Sequence, residues 1–379
     1  MFKIRFILFS FLFLFINFST FAAEGNGYLS HNIEAEDMRV RITDVKDCVS
    51  ENVADTLCKD LTVKVLDGSL KGRVYKIKAD YLDASQKNSS ISVGDKYFVT
   101  YEGNDENGTP VLVLGEPDRL LGIFLLTLIF VVLVVVVSGK QGLFSIIALA
   151  TNFAVLIFII ANGVFAGFNS MLLVILGGVL LLTLSMFLTY GFNKKTLSAY
   201  IGSLSGFFIT IVLTLVFLPV FKMTGFSSEE ASFLSDIATN IDMVDVLFVG
   251  ICVGVLGLLD DITVNQSSLT FQLVSANPKL SKKQVFFKAM AVGKDHLSSM
   301  VNTLIIAYAG ASFPLFLLLV RDSSSSFSSI INMEMISEEI LRMLVGSIGL
   351  ILTIPVSTYI ATVFAKSKKL KNIDSNRDD

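Results

Sequence analysis

The chain has 379 residues, 53% of them hydrophobic and 17% charged, with a formal net charge of -3 and a mean hydropathy of +0.69. So apolar a chain, whose basic residues gather between hydrophobic blocks, points to the lipid bilayer as its surroundings and gives no nucleic-acid partner anything to bind. The three cysteines form no CxxC or Cys/His cluster, which removes a structural zinc site from the expectations and leaves no cofactor signature.

In chain order, Lys3 and Arg5 precede an apolar run over 6–18 and small residues ending at Ala22 and Ala23. That order predicts a signal peptide over 1–22 with cleavage near Ala22, and an uncleaved anchor of the same orientation fits the same residues. Residues 23–118 turn polar, and short stretches alternate as half-buried strands do. They lie around Val40, Ile42 and Val45; Leu61, Val63 and Val65; Val74 to Ile77; Tyr97, Val99 and Tyr101; and Leu112 and Leu114, with turns such as Asp67-Gly68 and Gly94-Asp95 between them. The pattern predicts a small all-β extracytoplasmic domain, an OB-like or SH3-like barrel, without a catalytic constellation. Cys48 and Cys58 fall within it, where an oxidising compartment permits a disulfide and equally leaves two free thiols open. Cys252 sits in an apolar helix and reads as a small core residue.

The character changes at residue 119, because a hydrocarbon core of about 30 Å needs roughly 20 mainly apolar residues per helix. An α-helical polytopic region is predicted over 119–366, followed by a cytoplasmic tail over 367–379. About seven spans fit. The first covers 120–138, and the uncharged interval between Lys140 and Lys194 divides into two at Asn162-Gly163 to Asn169. The others cover 196–221, 242 to beyond Asp261, 296–320 and 341–365. Lys140, Lys194, Lys195, Lys279, Lys282, Lys283, Lys288, Lys294, Lys366, Lys368, Lys369, Lys371 and Arg377 all fall on one side of this plan. Glu229, Glu230, Asp236, Glu334, Glu338 and Glu339 fall on the other, which holds little basic charge beyond Lys222 and Arg321. The positive-inside bias therefore places the protein in the cell membrane with its N-terminal domain outside and its C-terminus in the cytoplasm.

The fifth span carries the candidate chemistry. Its uncharged core, 246–259, is too short to cross alone, so Asp260 and Asp261 come near membrane depth, roughly 27 Å along the helix from Asp242. Asp261, Asn265, Ser268 and Gln272 recur at helical spacing as one polar stripe. Ionisable groups in a span are costly and commonly mark an ion path, proton relay or substrate site, whereas a helix leaving the membrane at Asp260 would present the same stripe to the cytosol. A second constellation opens the sixth span: Asp295, His296, Ser299, Asn302 and Thr303 share overlapping faces, and His296 suits proton transfer near neutral pH. The basic segment 277–293 joins the two constellations, which could then meet.

Gly257-Leu258-Leu259-Asp260-Asp261-Ile262-Thr263-Val264-Asn265-Gln266-Ser267-Ser268, then Gly293-Lys294-Asp295-His296, then Asn302-Thr303 through Tyr308-Ala309-Gly310-Ala311, resembles the YibE/F family of bacterial multipass membrane proteins. The resemblance runs from the signal through the outer domain to the last span. It implies a recurring acid at Asp261, with Asp260 part of one version of the motif. Some members have a carboxylate where this chain has Gln272. It implies a membrane protein or transporter without an assigned substrate.

These readings together favour a transporter or permease for a small solute or ion, with Asp260 and Asp261 holding a cation or proton. Asn265, Ser268, Asn302 and Thr303 would serve as neutral ligands, and Asp295 or His296 as a relay. The rival is a non-transporting scaffold or complex subunit, a homo-oligomer or a membrane partner's subunit, whose outer domain binds another protein. An enzyme is not expected, since adjacent aspartates on one helix cannot both face one bond and no Ser/His/Asp or metal-binding motif is present.

Overall fold

The computed structural model of the chain describes residues 36–49, 57–79, 91–105, 108–238, 241–314, 317 and 326–367. The expected signal peptide, most of the cytoplasmic tail and the end of the expected sixth span lie outside them. The chain divides into two compact units between Leu133 and Val134.

The first unit holds a five-stranded antiparallel sheet of β1 (Glu36–Val49), β2 (Leu57–Val65), β3 (Val74–Ala79), β4 (Lys96–Asn104) and β5 (Pro110–Pro117), in the order β3-β2-β1-β4-β5. Each of the five alternating stretches became a strand. The long β1 is shared, pairing with β4 from Glu36 to Arg41 and with β2 from Val40 to Val49, and β3 approaches β5. Shared use of the first strand lets the sheet curl on itself. Met38, Val40 and Ile42 of β1 are buried with Leu61, Val63 and Val65 of β2 and Val99 of β4, while Arg39 and Arg41 between them face out. Period two thus builds one apolar face. Gly68 turns the chain between β2 and β3 at φ +80°, and a Cβ there would run into Met38 and the Glu36 carboxylate. The backbones of Cys48 and Cys58 stand opposite each other in the β1–β2 register; their side chains lie outside the described residues.

The helices are α1 (Leu120–Val155), continued by a π turn (Leu156–Ala161) into α2 (Asn162–Phe165), then α3 (Ser170–Tyr190), α4 (Lys194–Val220), α5 (Glu229–Ile237), α6 (Met243–Ala276), α7 (Lys282–Ala311), α8 (Phe327–Ile331) and α9 (Glu334–Ala365). Asparagine and serine side chains start several of them. Asn169 accepts from the Leu172 N–H at 3.0 Å, Asn193 accepts from the Thr196 N–H at 2.8 Å, and Ser281 forms a capping box with Gln284.

Five helical runs are long and apolar enough to cross a membrane: Leu120–Phe165, Ser170–Tyr190, Lys194–Val220, Met243–Ala276 and Glu334–Ala365. The chain is thus a polytopic membrane protein with a small β domain. The count departs from the expected seven at two places. The first two expected spans form one run, interrupted at Gly139, where φ 56° and ψ -134° are not helical and the Val134 carbonyl comes against Gly142. The expected sixth span corresponds to α7, whose lysines and Ser, Asn and Thr residues make it less apolar than the five.

In the second unit α4, α6 and α9 pack closely through small residues. Gly202 lies against Ser357, Gly206 against Thr353 and Leu259, and Gly349 against Thr210, so α4 and α9 run antiparallel along matching four-residue stripes. Ser203 and Thr263 share a hydrogen bond of 2.6 Å, and Ser198 and Ser267 one of 3.1 Å. Lipid offers helices no hydrophobic reason to associate, so close backbone approach and interhelical hydroxyl bonds hold such a seam together.

Candidate functional site

The polar residues of α6 divide by helical phase, since neighbouring positions are turned by about 100°. One face, with Thr263, Gln266, Ser267 and Thr270, is buried against α4, α7 and α9. Asp260 points elsewhere, toward α3. There the Ser185 hydroxyl donates to Asp260 Oδ2, and near the other end of the same helix pair the Ser170 hydroxyl donates to Asp245 Oδ2 at 2.8 Å. Both pairs span the same 75 positions in sequence. That equality makes α3 and α6 parallel, in phase, with a serine clipping a carboxylate at two levels roughly 22 Å apart.

Beside the Ser185–Asp260 bond lies a cavity of about 380 Å³, to which α1 adds Asn152 and α6 adds Gly254 and Gly257. Leu149, Phe153, Leu181 and Leu182 make much of its wall. Asp260 Oδ1 and Asn152 Oδ1 are both buried, and neither finds a hydrogen-bond donor among the described residues. A buried carboxyl group with one oxygen unpaired is costly, so this position calls for a partner that the described residues do not supply.

The other candidates are dispersed. Asp261 faces outward and accepts from Asn265 Nδ2 at 2.9 Å; Asn265 and Gln272 are exposed beside it, and Ser268 is half-buried. On α7, Asp295, Ser299, Asn302 and Thr303 are exposed, with the Thr303 hydroxyl donating to the Ser299 carbonyl at 2.9 Å. His296 is half-buried, and its buried Nε2 has no partner among the described residues. No described hydrogen bond joins the two constellations. What joins α6 to α7 and α9 is Gln266, which donates to the Ala289 carbonyl at 3.0 Å and to Thr358 Oγ1 at 2.8 Å, with Gly293 leaving room for its amide.

Sequence reasoning passed over Asn152, Ser185 and Gln266. For Asn152 and Ser185 the available signal was an amide and a hydroxyl among others in an uncharged interval, and for Gln266 one more polar position in the stretch 263–268; each carries little information until the neighbouring helix is known. The acidic residues at the start of α9 have structural partners. Glu334 accepts from the Thr224 and Gly225 backbone N–H groups at 2.5 and 2.9 Å. Glu338 accepts from the Ser227 hydroxyl and pairs with Arg342 at 2.5 Å. Among the described residues no group of His, Cys, Asp and Glu is placed to hold a metal ion.

The profile of the family described as YibE/F-like protein matches residues 126–367, well over half of the chain. The chain belongs to the YibE/F family. The matched region opens within α1 and closes just after α9, so the YibE/F assignment takes in Asn152, Ser185 and Asp260 and leaves residues 1–125, the sheet among them, outside, a narrower extent than the resemblance suggested. Neither the comparison with curated proteins nor that with solved structures gives a match.

Proposed function

We propose that this YibE/F protein is a transporter or permease for a small solute or ion, and that its path passes the Asp260 cavity. The observation that supports the reading is a carboxylate lining a cavity shared by three helices, with a buried oxygen unpaired among the described residues. Carboxylates of this kind in spanning helices commonly bind or relay a transported charge. The weight shifts from Asp261 to Asp260. Asp261, Asn265, Ser268 and Gln272, with Asp295, His296, Ser299, Asn302 and Thr303, form the cytoplasmic approach rather than the binding point.

The same proposal includes seven crossings. Gly139 divides the first long run into two helices and α7 supplies another, which turns the five apolar runs into seven. Successive helices then alternate in direction, with the lysine-rich ends inside and the β domain outside. The chemistry proposed is transport rather than catalysis, because the Ser185–Asp260 pair has no histidine or second acid among the residues lining its cavity, and a carboxylate alone is a weak base toward a serine hydroxyl.

Flux into proteoliposomes tests the reading. Asp260→Asn should lower flux roughly tenfold or more by removing the charge from the path, while Asp261→Asn should retain most of it. Equal flux for wild type and Asp260→Asn sinks the assignment.

A further inference from the structure

We infer that the cavity among Asn152, Ser185 and Asp260 binds a single alkali-metal cation, an assignment that rests on reading this cavity as part of the transport path. The residues that line it with polar side chains are Asn152, Ser185 and Asp260, and together they offer an amide oxygen, a hydroxyl and a carboxylate. Asp260 Oδ1 and Asn152 Oδ1 are buried and unpaired among the described residues, and Ser185 Oγ keeps lone pairs after donating its proton to Asp260 Oδ2. Hard cations take such oxygen donors.

Charge decides the valence. One carboxylate balances one positive charge, whereas divalent sites of useful affinity gather several carboxylates. Size separates a metal ion from a proton. A proton on Asp260 needs one acceptor and no room, but about 380 Å³ holds an ion together with several waters to complete its shell, at roughly 30 Å³ per water. Gly257 adds no side chain to the wall, and a Cβ there would meet nothing within 4 Å. The donors come from three helices, α1, α3 and α6, so occupancy ties together segments that are far apart in sequence.

Thermal melting of the purified full-length protein in detergent measures this without any flux. At constant pH and ionic strength, replacing choline chloride by NaCl or KCl should raise the melting temperature saturably. Asp260→Asn should abolish the response. Ser185→Ala and Asn152→Ala, which keep the carboxylate and guard against a misfolded aspartate variant, should weaken apparent affinity roughly tenfold each, as loss of one hydrogen-bonding partner to a charge does. Responses to choline and to alkali ions that do not differ overturn the proposal. A response that survives Asp260→Asn, a preference for Ca2+ or Mg2+, or dependence on pH alone also overturns it. Saturable alkali binding in a protein that moves nothing would leave the site standing and remove the transport reading instead.

Discussion

Gln266 shows how a single side chain sets a helix junction. Its amide bridges α6 to α7 and α9, and the Cβ missing from Gly293 is what makes room, since one there would sit 2.9 Å from the amide nitrogen. Gln266→Leu keeps the volume and loses both bonds, which should cost about 1–2 kcal/mol in a membrane interior. Gly293→Val should cost more, because it displaces the amide and crowds the seam. Melting temperatures of the two full-length variants check the order, and a Gly293→Val protein as stable as wild type would contradict the packing described. In the β domain the corresponding contact is ionic. Asp67 bonds the Arg39 backbone and guanidinium at 2.6 and 2.5 Å. Partial burial raises its carboxyl, but these bonds and the Arg39 charge outweigh that and hold it below the ordinary carboxylate range. A depressed folded value contributes stability above the unfolded value and loses it as pH falls through the folded one. The pair is well exposed, at 44% and 37%, so the effect is small. Peptic digestion of the full-length protein across the acid range should cut the β1–β2 region earlier in Asp67→Asn than in wild type near the upper end of that range, and the difference should vanish at the lowest pH.

Among the elements, α4 and α9 depend on residues that contribute almost no apolar surface. Gly202, Gly206 and Thr210 meet Ser357, Thr353 and Gly349 in turn, so the two backbones approach where larger side chains would hold them apart. A Cβ on Gly206 would lie 2.7 Å from Leu259 and closer still to Thr353. Gly206→Val should therefore destabilise by about 1–3 kcal/mol through overpacking. Unchanged resistance to denaturing detergent in that variant would argue against the seam. The α3–α6 pair works differently. Its serines hold two carboxylates at matched levels, and the side chains between them leave the cavity at one end, so the seam fixes the site without filling it.

At the scale of the whole molecule, orientation links the two units chemically even though each has its own core. If the β domain lies outside, Cys48 and Cys58, opposed in the β1–β2 register, meet an oxidising compartment, and antiparallel neighbours stand within disulfide reach. Thiol labelling of unfolded full-length protein should find one reactive cysteine before reduction, Cys252, and three after it; three before reduction would count against the bond and weaken the orientation. The sequence by itself determined the strands and the apolar helices, because period-two alternation and segment hydropathy are local quantities. Leu61, Val63 and Val65 needed no partner to be recognised as one face of a strand, and 196–221 none to be recognised as a span. Gly139 was legible only as the end of an apolar run, and its backbone turn emerged with the fold. Which of Asp260 and Asp261 lines a cavity was decided by tertiary structure alone. The two differ by a rotation of about 100° on one helix, both are equally acidic, and the choice depends on Ser185 and Asn152, which belong to other helices. Hydropathy measures the transfer of a segment into lipid. Packing between helices already in lipid rests on shape and hydrogen bonding among residues distant in sequence, and no local pattern encodes it.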